Sequence, residues 1–348
     1  MAHILIIRFS AIGDVAMTVP VIDSLARQHP ANQYTMLSQS FLQPLFAHCP
    51  ENVRFVGVDL YNNYKGILGM YRLYRELLKH NFDAVADLHD VLRTKLLRIF
   101  FRCSGLKVRH IDKGRKDKRR LTRKKNKLFR QLKPTIERYA DVFRVLGYKL
   151  TPQPPLHRRG GEEQHDVSMK NILASLSCGE GKGMRWIGIA PFAKHEGKIF
   201  PLDRMEQVVA HFAKKDDVMV FLFGGGANEK KILDEWSAKY PRTVSVAGKL
   251  DLSAELVLMS FLDVMLSMDS ANMHLASLNS TPVVSVWGAT HPYAGFYGYN
   301  QSLDNALQVD LFCRPCSVYG SKPCYRKNTE CMTKITPQMV IEKIQSSL

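Results

Sequence analysis

Apolar residues in this chain fall into short runs separated by stretches of helical spacing. HILIIRF (His3–Phe9) is continuous rather than alternating, the pattern of a parallel strand buried on both faces, and it ends in the loop SAIGD. Val15, Val19, Ile22, Leu25 and Ala26 then share one helical face, and that helix stops before Pro30. YTMLSQ and VRFVGVD read as strands, Ile67 to Asn81 as a helix, and FDAVADLHD as a fourth strand. This βαβ alternation predicts a doubly wound α/β sheet.

The stretch from Lys149 to Glu163, rich in proline, glycine and charge, reads as a linker. After it the alternation restarts. RWIGIAPFA, DVMVFLFGGG, TVSVAG, VMLSMD and TPVVSVWG are strands, with helical spacing between them, and TPQMVIEKIQSSL is a final amphipathic helix. The expected organisation is a first domain over 1–160, a second over 161–335, and a closing helix over 336–348. A length of 348 residues agrees, being too great for one ordinary core.

Strand ends in such sheets are where ligands bind, and four of them here carry polar residues. In RFSAIGDVAM, Ser10 and Gly13 form a tight turn and Asp14 opens the next helix. Asp14 is either a helix-terminal acid complementing the dipole or a general base. Gly224, Gly225 and Gly226 close a strand and open a helix, a plain turn or a cradle of amides for phosphate or ribose. Glu229 follows in the first turn of that helix, to accept from ribose hydroxyls or to complement the dipole. Lys194 and Lys198 lie in a loop after a strand, placed to neutralise a diphosphate or simply solvated. In SMDSANMHLASLN, Asp269 ends a strand, Asp269 or Ser270 caps the helix, and His274 sits on its first turns. A lone histidine there can be a core residue. Acid, hydroxyl and helix N-terminus together favour an anion or sugar-nucleotide site.

Taken together, these motifs resemble glycosyltransferase family nine, the ADP-heptose:lipopolysaccharide heptosyltransferases. The likeness rests on ILIIRFSAIGDVAMTVPVIDSLARQHP, on MDSANMHLASLNSTPVVSVWGATHP and on the cysteine-containing tail from Cys313 to Val340. The resemblance implies a GT-B fold, two Rossmann-like domains facing a cleft, the acceptor on the N-terminal one and the nucleotide sugar on the C-terminal one. It implies inverting transfer without metal or cofactor. Asp14 is then the base on the acceptor hydroxyl, and Lys198 contacts the diphosphate and stabilises the leaving charge. Lys194, Gly225, Gly226 and Glu229 bind the donor with Asp269, Ser270, Ala271 and His274. Ala271 stands where the family usually has glycine. Ser10 and Gly13, with Arg115, Arg119 and Arg120, are the acceptor-side candidates.

Charge changes the picture. The formal net charge is +17, and Lys107–Lys133 holds 14 Lys or Arg against two Asp. Such a surface draws polyanions. Nucleic acid is one reading, but Phe129 is the only Phe, Tyr or Trp there to stack a base and no nucleic-acid motif is present. A loop on an anionic inner-membrane surface, beside a phosphorylated glycolipid acceptor, is a second, and a solvated charged face a third. No run of about 18 apolar residues spans a membrane, and the N-terminus lacks a basic region before its apolar run. These features predict a cytoplasmic protein, peripheral on the inner membrane. Cys313, Cys316, Cys324 and Cys331, spaced C-x2-C-x7-C-x6-C, are free thiols, a redox pair or a structural zinc site. A Rossmann protein binding nucleic acid, and a nucleotide-sugar epimerase, are the competing functions. The lack of GxGxxG after the first strand argues against the epimerase's dinucleotide.

Overall fold

A computed structural model describes residues 1–153, 170–174 and 183–348. Most of the expected linker lies outside the described residues. Contacts divide the chain into two compact units, Met1–Lys113 with Lys133–Pro155, and Gly114–Leu132 with Leu156–Leu348.

The first unit is built on a five-stranded parallel sheet. β1 (His3–Ile7), β2 (Gln33–Gln39), β3 (Val53–Val58), β4 (Ala84–Asp87) and β5 (Lys107–His110) lie in the order β3-β2-β1-β4-β5. The continuous run in β1 has its predicted cause, since Ile4 to Ile7 are fully buried. The helix expected from Val15 is two helices, α1 (Ile12–Ala16) and α2 (Val19–Gln28). The Thr18 hydroxyl donates to the Val15 carbonyl (2.7 Å) at the break. Pro20 sits in the first turn of α2, where its missing N–H removes no helical bond. α3 (Gly66–Leu78) and α4 (Leu92–Cys103) pack on Leu73, Leu77, Leu97 and Phe101.

The second unit carries six parallel strands. β6 (Arg185–Ala190), β7 (Val218–Leu222), β8 (Thr243–Ser245), β9 (Val264–Met268), β10 (Val283–Val286) and β11 (Ala306–Leu307) lie in the order β11-β10-β9-β6-β7-β8. Its core gathers Ile187, Ile189, Val220, Leu266 and Val284 from the strands with Met205, Val209 and Phe212 from a covering helix. The closing helix (Pro337–Gln345) buries Val340, Ile341 and Ile344 in that same core, so it is part of this unit's packing.

α4 was not assigned from the sequence, nor were two further helices. α5 (Arg115–Leu121) belongs to the second unit, and α6 (Thr135–Leu146) to the first, where Ile136, Tyr139, Ala140 and Phe143 face inward. No helix among the described residues is long and apolar enough to cross a membrane.

Candidate functional site

Both sheets reverse their strand order once, and each reversal holds an ion pair. In the first unit the strands on either side of the reversal are β1 and β4. Asp14 lies in the first turn of α1, with Ala11 at the cap position, so it complements the helix N-terminus without capping it. Its Oδ2 is 2.7 Å from Arg8 Nη2, and the two side chains are unequally exposed, 6% for Arg8 and 32% for Asp14. Arg8 is clamped from other sides as well. Its Nη1 donates to the Leu88 carbonyl (2.7 Å), and its guanidinium lies 5.7 Å from the Tyr139 ring centroid. Burial opposes the Arg8 charge, and Tyr139 and then Asp14 more than offset it, leaving its pKa above the ordinary value. The carboxylate is therefore the group this pair presents to solvent.

At the end of β4, Asp87 accepts from the backbone amides of His89 (2.8 Å) and Asp90 (3.0 Å). Arg98 from α4 pairs with Asp87 (3.4 Å) and Asp90 (3.1 Å). His89 Nδ1 faces the Phe9 amide at 3.4 Å. Burial, then Arg8, Lys113 and Arg93, push the His89 pKa down to about 3, so the imidazole is neutral at physiological pH. Ser10 is half-buried and Gly13 buried in the same turn.

In the second unit the reversal lies between β6 and β9. Lys198 closes a 3₁₀ turn (Glu196–Lys198) after β6, and Asp269 directly follows β9. Lys198 Nζ stands 3.1 Å from Asp269 Oδ2, with exposures of 15% and 9%. Both partners are largely buried here, the aspartate slightly deeper than the lysine side chain. The Lys198 stem rests on Gly320, where a Cβ would come within 2.5 Å of Lys198 Cγ and Cδ, and where φ is +78°. The Gly197 carbonyl accepts from the Ala289 amide (2.9 Å), tying this turn to the end of β10.

Ser270 occupies the cap position of the helix Ala271–Leu278, but its hydroxyl makes no capping bond. It meets the Ser267 hydroxyl at 3.1 Å instead. His274, one turn in, is buried at 8% exposure, and Ala271 is half-buried. At the end of β7, Gly226 has φ +83° and precedes the helix Ala227–Lys239. Glu229 Oε2 accepts from the Gly225 amide (2.8 Å), so one carboxylate oxygen already closes its own loop. A Cβ on Gly225 would meet nothing within 4 Å. Lys194 is exposed.

Gly114–Leu132, the greater part of the basic segment, belongs to the second unit. Leu121 and Leu132 bury against Ala294, with Tyr293 and Phe296 beside them. Lys118 Nζ lies 3.9 Å from the Phe296 ring centroid. Lys127 Nζ donates to the carbonyls of Phe312 (3.2 Å), Cys313 (2.9 Å), Arg314 (2.7 Å) and Pro315 (3.1 Å). Lys124 Nζ lies over the Tyr325 ring, 4.6 Å from its centroid, so several of the segment's cations are spent on internal contacts. Arg115 and Arg119 are exposed, and Arg120 reaches Asp117 at 3.9 Å. The four tail cysteines line one cavity of about 630 Å³ and are free. Among the described residues no group of three or more His, Cys, Asp or Glu is arranged to hold a metal ion.

The model of Glycosyltransferase family 9 (heptosyltransferase) matches residues 70–325. The chain belongs to this family. It is a glycosyltransferase, as the motifs of the first and second sheets imply. Lipopolysaccharide core heptosyltransferase OpsX of Haemophilus influenzae is 25% identical over 319 residues, covering 87% of this chain and 83% of that protein. A family 9 glycosyl transferase from Veillonella parvula superposes with TM-score 0.74 at 19% identity, covering 99% of this chain and 97% of that one. The E. coli ADP-heptose lps heptosyltransferase II superposes at 0.71 and 17% identity, covering 99% and 98%. These likenesses establish the α/β GT-B fold of the family. Several groups in the geometry had no role in the sequence reading, among them Arg8, Asp87, His89, Arg98 and Gly320. Arg8 was visible as a charge ending an apolar strand, and Gly320 as a lone glycine in the tail. A cation closing a buried strand was the signal for the first.

Proposed function

We propose that this glycosyltransferase moves a heptose from ADP-heptose to the lipopolysaccharide inner core, with inversion at the anomeric carbon and without a metal ion. The observation that carries the reading is the opposite presentation of the two ion pairs. The first unit offers a carboxylate backed by a buried arginine, and the second an ammonium backed by a buried aspartate.

In this reading Asp14 takes the proton from the acceptor hydroxyl as that oxygen bonds to the anomeric carbon. The bond from that carbon to the diphosphate breaks, and Lys198 receives the negative charge that develops on ADP. Asp269 holds Lys198 in position. Ser270, Ala271 and His274 bind donor sugar and phosphates at the helix N-terminus. Lys194, Gly225 and Gly226 serve the nucleotide, and Glu229 takes the ribose with the carboxylate oxygen not used on Gly225. Ser10 and Gly13 shape the acceptor end of the first sheet. Arg115, Arg119 and Arg120 meet phosphates of a glycolipid acceptor at an anionic inner-membrane surface.

The test is incubation with ADP-heptose and a heptose-deficient lipopolysaccharide core. ADP release, with product mass raised by one heptose and the opposite anomeric configuration, is expected, unchanged by EDTA. A thermal-shift panel of ADP, UDP, GDP and CMP should favour ADP, since ligand binding to the folded state raises Tm. Transfer from another nucleotide sugar would replace the donor, and no transfer with a folded sample would sink the reading.

A further inference from the structure

Large apolar side chains are gathered on the outer face of α3 and α4 in the first unit. Leu68 is 84% exposed, Leu92 75%, Ile67 65%, Ile99 53% and Tyr71 45%. Single exposed apolar residues are ordinary, whereas a contiguous group marks an interaction surface. On each helix most of these residues share one face. Leu68, Tyr71, Arg72 and Arg75 recur at i, i+3, i+4 and i+7 along α3, and Leu92, Lys95 and Ile99 do so along α4. The Tyr71 ring meets Phe100 of α4, the neighbour of Ile99, edge-on at 5.6 Å, so the two helices lie side by side. Cations are interleaved with the apolar tips. The two helices carry Arg72, Arg75, Arg93, Lys95 and Arg102 beside the buried Arg98, against one acid, Glu76.

We infer that this face docks the enzyme on an anionic lipid bilayer. Charge complementarity decides the occupant. A second copy bound through the same face would set cationic helices against each other. A nucleic acid would gain nothing from the aliphatic tips of Leu68, Leu92, Ile67 and Ile99, which cannot stack bases. A bilayer interface suits both chemistries at once: anionic headgroups for the guanidinium groups, the acyl boundary for the aliphatic tips, and the zone between them for tyrosine. The basic segment Gly114–Leu132 is a weaker candidate, because Lys118 and Lys127 are turned into the second unit. The reason for a membrane partner rests on the glycolipid acceptor proposed above, but the binding is measurable without either substrate.

The experiment is co-sedimentation of the full chain with phosphatidylcholine vesicles, with and without phosphatidylglycerol. The native chain should sediment only with the anionic vesicles. Leu68→Ser with Leu92→Ser, and separately Arg72→Glu with Arg75→Glu, should each weaken binding by on the order of tenfold or more at unchanged Tm. Arg123→Glu with Lys125→Glu should change it little. The inference is overturned if the native chain ignores anionic vesicles, if the α3–α4 variants sediment like the native chain, or if only the Arg123 and Lys125 pair matters. A native dimer that Leu68→Ser with Leu92→Ser dissolves would also overturn it. Transfer to a deacylated, water-soluble acceptor should survive in all α3–α4 variants. Its absence in the native chain would remove the proposed reaction and leave the bilayer face standing.

Discussion

The two sheets of this protein solve one electrostatic problem in opposite senses. Each places an acid and a base at its topological switch point, about 3 Å apart. In the first unit the base is buried and the acid faces out, 6% against 32% exposed. In the second the acid is the deeper member, 9% against 15%. An ion pair near a surface shows the outside mainly the charge of its shallower partner. The same fold thereby presents a carboxylate at one switch point and an ammonium at the other, the two charges that the proposed transfer uses. Strand order chooses the place, and relative depth chooses the chemistry.

The comparison is broken most sharply at Asp14. Asp14→Asn keeps the shape and removes the proton acceptor. Transfer should fall by about 10²–10⁴-fold, the range for a lost general base, with ADP binding by calorimetry unchanged. Retained transfer in a folded variant would end its assignment as the base.

Lys198→Met removes the presented cation of the other pair. Transfer should fall by about 10²-fold or more, and here ADP affinity should fall too. The variant also strands a buried carboxylate, so Tm should drop by the equivalent of on the order of 2–4 kcal/mol. Adding Asp269→Asn should restore Tm without restoring transfer. Recovery of activity in the double variant would make the pair structural only.

Two neutral histidines, one in each unit, give the comparison a pH dimension. Burial, with Arg8, Lys113 and Arg93, holds His89 at about 3, and burial, with Arg314 and Lys127, holds His291 at about 4. Both folded values lie below the ordinary 6.5. The unfolded chain therefore binds more protons in acid, and stability present above pH 6.5 is lost as pH falls toward 4 and then 3. His89→Asn keeps an acceptor for the Phe9 amide and should flatten the acid limb of a Tm–pH curve. An unchanged limb would mean His89 is not responsible for it.

Gly320→Ala tests the support of Lys198. Its positive φ and the 2.5 Å approach to the lysine stem leave no room for a methyl group. A loss of roughly 1–2 kcal/mol is expected, with weaker ADP binding, while a vesicle assay of the first unit's outer face stays unchanged. Glu229→Gln should do least. The amide oxygen still accepts from Gly225, so Tm should hold, and donor affinity should fall a few-fold if a ribose hydroxyl uses the carboxylate. Equal affinity would leave Glu229 with the loop-closing role alone.

Much of the fold was legible in the linear pattern. Continuous apolar runs with no polar alternation marked β1, β6, β7 and β9 because both faces of those strands are covered. Turn residues marked where they end. Asp14, Lys198 and Asp269 stood out for the same reason, as charges placed where an apolar run stops. The helix α6 has regular i, i+3, i+4 and i+7 spacing and was readable, but it lies between the basic segment and the linker and was left unassigned. α5 is seven residues long with five cations, and no local pattern distinguishes its inward Lys118 from its outward Arg115.

Periodicity and turn chemistry are local, so the order of residues alone was enough to assign the α/β class, the strand ends and the candidate acids and bases. Depth is not local. Which member of each ion pair faces solvent, which lysines of the basic segment turn inward, and the seating of Gly320 on the Lys198 stem depend on residues far apart in the chain meeting in space. Burial acts through those distant neighbours, and it is burial that turns two similar salt bridges into a presented carboxylate and a presented ammonium.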